Sequence, residues 1–215
     1  MNEFIQPYQY NFLETQALTL LQTNQHVNDS ATIATMRALV SEKIALEFRD
    51  CQPAELAFLM EILSIQKSRK EVEAYLAKVK GCVRPFMAPS DQRLKKVFQK
   101  TKKLQFPKWE SLALKDYTFY GWNNSGQQRK YLILYQNGEL VGVEGIFSPT
   151  LKKGVCAICH KTADLTSFTA KVKSSGDGTY LNHGNYICYD SEKCNHQIEQ
   201  VTELFKFIEF VRPKK

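Results

Sequence analysis

Cys156, Cys159, Cys188 and Cys194 stand in two pairs near the C-terminal end, in G-V-C-A-I-C-H and Y-I-C-Y-D-S-E-K-C-N-H. The two-residue gap of the first pair lets both thiolates of one tight turn reach a single metal ion. The second pair is wider and runs into a helical pattern. Four thiolates at about 2.3 Å around a tetrahedral Zn²⁺ make a closed structural site with no position left for substrate. The four cysteines therefore predict one structural zinc, with Cys156, Cys159, Cys188 and Cys194 as ligands, in a binding module rather than a catalytic centre.

Two other readings of the cysteines are weaker. Disulfides need an oxidising compartment, and the start, Met-Asn-Glu-Phe-Ile-Gln-Pro, lacks the basic and apolar regions of a signal peptide. A redox Cys-x-x-Cys normally opens a helix beside a strand, whereas Cys156 follows a basic turn at Lys152, Lys153 and Gly154 and leads into short extended pieces. His160 and His196 adjoin the pairs, and either is an alternative ligand in a Cys3His set. Cys51 and Cys82 stand alone in helical contexts, where a cysteine usually packs as a small apolar residue. The order of the set, a Cys-x-x-Cys turn and then a cysteine opening a helix, resembles a treble-clef zinc finger.

No apolar run approaches the roughly eighteen residues a membrane span needs, so a soluble, cytoplasmic protein is expected. Charge divides unevenly along the chain. Residues 1–50 carry six acids and three bases, a balance of −3, and residues 93–215 carry eleven acids and twenty bases, a balance of +9. The positive excess of the second half points to an acidic or polyanionic partner there.

The first eighty residues read as a helical bundle. Pro7 to about Thr23 carries Phe12, Leu13, Leu18, Leu20 and Leu21 on a broad apolar face. Asn28, Asp29 and Ser30 offer N-caps for a helix through Arg49, with Ile33, Met36, Leu39, Val40, Ile44 and Phe48 near helical spacing. Pro53 suits the first turn of a third helix, and Ser68 to Glu71 has capping-box spacing for a fourth that ends near Gly81. Arg84-Pro-Phe-Met-Ala-Pro89 then stops the helices, and Ser90 or Asp91 caps a fifth over 93–103.

After Pro107 the period changes to two. Strands are expected over 116–122, 129–135 and 140–147, the last two joined at Asn137-Gly138, a strong hairpin signal. Two more, 166–173 and 180–187, flank a Ser-Ser-Gly-Asp-Gly turn. A final helix over 191–211 bears Ile198, Val201, Leu204, Phe205, Ile208 and Val211. That stripe is too apolar for one zinc knuckle to cover, so the N-terminal bundle is its expected partner. The fold class is α+β.

No Gly-rich phosphate loop, nucleophile elbow or His-Glu-x-x-His is present, and a zinc held by four cysteines cannot activate water. A non-enzymatic, binding function is expected. One reading is RNA: residues 93–108 hold seven bases and no acid, interleaved with Phe98 and Phe106 and followed by Trp109. The alternative is that this is a solvated helix face with Val97 and Phe98 turned inward. The other reading is a protein partner, with Tyr186 and Tyr189 flanking Cys188 as aromatics on a metal-fixed frame.

The chain resembles the FusB-type fusidic acid resistance, or elongation factor G-binding, proteins. The resemblance is carried by Pro7-Tyr-Gln-Tyr-Asn11, Val83-Arg-Pro-Phe86, Pro89-Ser90, Leu94-Lys-Lys-Val-Phe98, Gly121-Trp-Asn123, Arg129-Lys-Tyr131, Lys153-Gly154 before the first cysteine pair, and Gly184-x-Tyr-Ile-Cys188. It implies an N-terminal helical bundle over 1–82, with the C-terminal helix 191–211 available to complete it. A zinc-finger domain over 83–215 is implied to bind elongation factor G. The implied activity is release of that factor from ribosomes on which fusidic acid has trapped it, by a monomer and without covalent chemistry. Of the family's contact positions, the tyrosine before the third cysteine is Tyr186. Val155 replaces the aromatic before the first cysteine, and His183 stands at the basic position. Metal analysis of the purified protein should give one zinc per chain, and full occupancy in Cys194→Ser would pass the fourth ligand position to His196.

Overall fold

Helix caps and a closing strand bridge organise the first of two units, Met1–Arg84 and Pro85–Lys215. The computed structural model describes residues 2–99, 101, 104–174 and 180–212. Helix α1 spans Pro7–His26, with proline in its first turn, where its missing N–H costs nothing. Helix α2, Ser30–Glu47, begins at Asp29, whose carboxylate accepts from the Thr32 amide at 2.9 Å and the Ala31 amide at 3.3 Å. Those bonds, the Thr32 hydroxyl first, hold the Asp29 carboxyl below its usual range.

Helix α3, Pro53–Leu59, runs on into a 3₁₀ turn at Met60–Ser64, and Ser68 caps α4, Arg69–Gly81. Leu13, Ala17, Ile44, Leu59, Ile62 and Val79 form a core with no exposed surface. Ile5 and Val83 pair as a parallel bridge, with the Arg84 amide donating to the Ile5 carbonyl at 2.8 Å, so both ends of the unit lie together. The expected stripe on α2 is only partly used: Val40 and Ile44 are buried, whereas Leu39 is exposed.

The second unit begins with α5, Asp91–Val97, capped by Ser90. It stops short of the expected 103 because Phe98 leaves the helix and turns inward, edge-on to Trp122 at 5.9 Å and to Tyr131 at 5.3 Å. Lys100, Lys102 and Lys103 lie outside the described residues. An antiparallel sheet follows: β1 Tyr120–Asn124, β2 Arg129–Gln136, β3 Glu139–Phe147, β4 Lys152–Val155, β5 Thr162–Ser174 and β6 Tyr180–Cys188. Asn137 and Gly138 both have positive φ, 52° and 79°. They close the two-residue turn that sets Gln136 opposite Glu139.

The first strand starts later than its aromatic run suggests. Asp116 sits in a 3₁₀ turn, and the Thr118 and Phe119 amides both donate to Asn195 Oδ1, at 2.8 and 3.2 Å. Strand β5 pairs with β3 and β4 along one edge and with β6 along the other. Apart from Ser174, the expected turn at 174–178 lies outside the described residues.

A single final helix over 191–211, completing the first unit, gives way to two short helices packed on the second unit's own sheet. They are α6, Ser191–Gln197, and α7, Thr202–Val211. Ile198 between them is extended and wholly buried. Leu204, Phe207, Ile208 and Val211 of α7 are buried, with Phe207 tilted against Phe168 of β5 at 5.8 Å. The apolar stripe read from sequence is real; its burial lies against β5 and β6. Phe207→Ala should destabilise this unit by about 3–5 kcal/mol, measured by denaturant unfolding, with hydrogen-exchange protection lost first in β5 and β6.

Candidate metal centre and partner face

Three separate pieces of backbone deliver the cysteines. Cys156 and Cys159 lie on the turn after β4, Cys188 ends β6, and Cys194 sits inside α6. Asp190 starts that helix by accepting from the Glu192 and Lys193 amides at 2.9 and 3.3 Å, which turns Cys194 back toward the knuckle. All four side chains are buried, and their sulfurs lie within 4.8 Å of one another.

The spacing fits zinc. The sulfurs of Cys156 and Cys194 are 3.9 Å apart and those of Cys159 and Cys188 are 3.7 Å apart. A tetrahedron with metal–sulfur bonds of about 2.3 Å has edges of roughly 3.8 Å, whereas a disulfide is about 2.0 Å long. The Ile158 and Cys188 amides both donate to the Cys156 sulfur at 3.3 Å, which favours its thiolate. Hydrogen bonds from Cys159 and its fellows hold the Cys156 thiol well below its usual range, while Cys156 in turn pushes Cys188 and Cys194 up. Four thiolates this close can all ionise only around a cation, and Cys156, Cys159, Cys188 and Cys194 would together hold one Zn²⁺. Neither adjacent histidine belongs to the cluster. His160 is exposed, 3.7 Å from the Glu203 carboxylate, and His196 is exposed on α6.

Sequence reasoning missed the group that braces this centre. Lys130 of β2 is only 1% exposed. Its ammonium donates to the Tyr189 carbonyl at 2.8 Å and to Asn123 Oδ1 at 3.0 Å. Burial pushes the ammonium down to about 8, against the pull of Cys194, Asp190, Cys188 and Cys156. A buried lysine beside a doubly negative zinc–tetrathiolate offsets its charge and fixes the residue after Cys188. The only sequence signal was a lysine inside the apolar run Arg129-Lys-Tyr-Leu-Ile-Leu.

Residues 4–87 match the family model described as elongation factor G-binding protein, N-terminal, and residues 95–207 match the FBP C-terminal treble-clef zinc-finger. This chain belongs to the elongation factor G-binding protein family. It carries that family's treble-clef zinc finger, with the four buried cysteines as its metal site. The fold is also that of the fusidic acid resistance protein FusC, at 29% identity and a TM-score of 0.85 over 98% of both chains. A search of curated proteins finds no match. Among the described residues no helix is long and apolar enough to cross a membrane.

The three candidate partner residues do not form one cluster. The Tyr186 carbonyl accepts from Ala157, inside the Cys-x-x-Cys turn, at 3.0 Å. The tyrosine is thus tied to the metal knuckle while its side chain stays 43% exposed, with the Lys152 ammonium 5.8 Å from the ring centre. Successive residues of a strand point to opposite faces, so His183 lies on the other face of β6. There it stacks on Phe210 of α7 at 4.3 Å. Val155 is 62% exposed, and its partner Thr162 is one step out of phase with the Lys152–Leu165 pair on Tyr186's face. Phe98 and Trp109, offered with the basic 93–108 segment as RNA-stacking surfaces, pack into the aromatic core, Trp109 against Tyr120 at 4.9 Å. Lys130→Met should lower zinc affinity by roughly tenfold or more, read as faster metal transfer to a chelator with circular dichroism as the control.

Proposed function

We propose that this protein binds elongation factor G through the zinc-finger unit and promotes its release from the ribosome, protecting translation from fusidic acid. The observation that carries the reading is family membership together with the likeness to the fusidic acid resistance protein FusC over 98% of both chains. Zinc on the four cysteines would act structurally, stiffening the turn from which Tyr186 projects. Tyr186 is the anchor, with Lys152 beside it, and His183 and Val155 contribute from the opposite face of the sheet. The +9 balance of residues 93–215 speeds encounter with an acidic partner rather than setting the final affinity. The chain works as a binding protein in the cytoplasm, as a monomer, without chemistry on drug or factor.

Titration calorimetry with elongation factor G tests this. Truncating a buried aromatic anchor costs about 2 kcal/mol or more, roughly thirtyfold in affinity. Tyr186→Ala should lose that much while keeping its zinc and its circular dichroism spectrum. If the folded variant binds like the parent, Tyr186 is not the anchor. Release itself is read by adding the protein to ribosomes stalled with the factor and fusidic acid, where the factor should leave the ribosomal fraction.

A further inference from the structure

Among the described residues, strand β6 pairs only with β5 and lies at an edge of the sheet. In an antiparallel ladder, alternate residues turn their N–H and C=O toward the partner strand or away from it. Three bonds fix that phase. The Tyr186 amide donates to Asn185 Oδ1 at 2.8 Å, the Tyr186 carbonyl accepts from Ala157, and the Cys188 amide donates to the Cys156 sulfur. Residues 186 and 188 therefore face away from β5, and the zinc knuckle covers that stretch of the edge.

Gly184 and Asn182 share the phase, and both lie on the regular side of the register shift, which falls between the Asn182–Lys171 and Leu181–Lys173 pairs. Both residues are exposed. Gly184 has to be glycine, because a Cβ there would run into the Phe168 carbonyl and the Thr169 side chain. The missing side chain leaves the backbone bare. Natural edge strands are usually protected by charge, by proline or by a covering segment. The run Tyr-Leu-Asn-His-Gly-Asn-Tyr-Ile-Cys of β6 contains neither lysine, acid nor proline.

We propose that the outer edge of β6 at Asn182 and Gly184 is a strand-pairing site for an extended, acidic segment of elongation factor G. The inference rests on the proposed function and adds how the partner is held. Main-chain bonds to Asn182 and Gly184 supply the pairing, and side chains beside the edge supply selectivity. Tyr186 stands at one end, while Leu181 and Phe210, 50% and 48% exposed, stand at the other. Lys171 sits directly across β5 from Asn182, and Lys152 lies over the Tyr186 ring. That charge favours an acidic strand and disfavours a second copy, which brings the same positive unit against itself.

Hydrogen exchange of the parent protein, with and without elongation factor G, reads the edge directly. The Asn182 and Gly184 amides should exchange freely alone and slow at least tenfold in the complex. Asn182→Pro removes one outward N–H at a position where an edge strand tolerates proline, and should weaken binding at least tenfold with zinc content unchanged. A complex of parental affinity that leaves both amides unprotected overturns the edge site and leaves the factor-binding reading standing. If the parent forms no complex, that reading fails and this inference with it. Protection that rises with protein concentration in the absence of the factor assigns the edge to a second copy and overturns the partner. Should Asn182→Pro fail to fold, exchange in the parent alone decides.

Discussion

Four sulfurs held within 4.8 Å of one another set the terms for the second unit. Without a cation they repel as thiolates, and with one they tie together a turn, a strand end and a helix. The knuckle at Cys156 and Cys159 is bonded to β6 through Ala157 and Tyr186, and α6 is aimed by the Asp190 cap. Structural zinc sites of this kind couple metal binding to folding. The surface that results carries the half-exposed Tyr186 side chain on a strand end bonded to the metal turn.

The charge of the centre is managed from the other side of the sheet edge. Lys130 is buried, yet its ammonium has the Tyr189 carbonyl and Asn123 as acceptors and the thiolates as neighbours. Asn195 plays the matching part for backbone, satisfying the amides of Thr118 and Phe119 and the Phe119 carbonyl ahead of β1. Both side chains are polar groups that remain stable in the interior because their bonds are made. Together they join the zinc helix to the aromatic layer formed by Phe98, Tyr117, Trp122 and Tyr131. The basic 93–108 segment borders the same layer, so Phe98 serves packing while Lys95, Lys96 and Lys108 supply surface charge.

Much of this was legible in residue order. The cysteine spacing, the caps at Asp29 and Ser68, and the Asn137-Gly138 turn are local signals, because each depends on a few consecutive residues. The stripe on the last helix was legible as a stripe, but its partner was not, since Leu204 and Phe207 suit any apolar surface. Helix α5 was drawn too long because Phe98 has the spacing of a helix face, and only Trp122 and Tyr131 show that it leaves the helix. The partner trio came from the family resemblance, and the pleat of β6 sends Tyr186 and His183 to opposite faces.

By itself, the sequence determined the metal chemistry, the change from helical to strand period after Pro107, and the placing of positive charge in the second half. These follow from residue types at short separations, where covalent geometry limits the outcomes. Only the tertiary structure decided that Lys130 braces the zinc centre, that α7 is buried on β5 and β6, and that the bare edge of β6 at Asn182 and Gly184 faces outward. Those three depend on strand register and on contacts between residues far apart in the chain. A shift of one residue in strand register would turn Lys130 out of the interior and reverse which residues of β6 face outward.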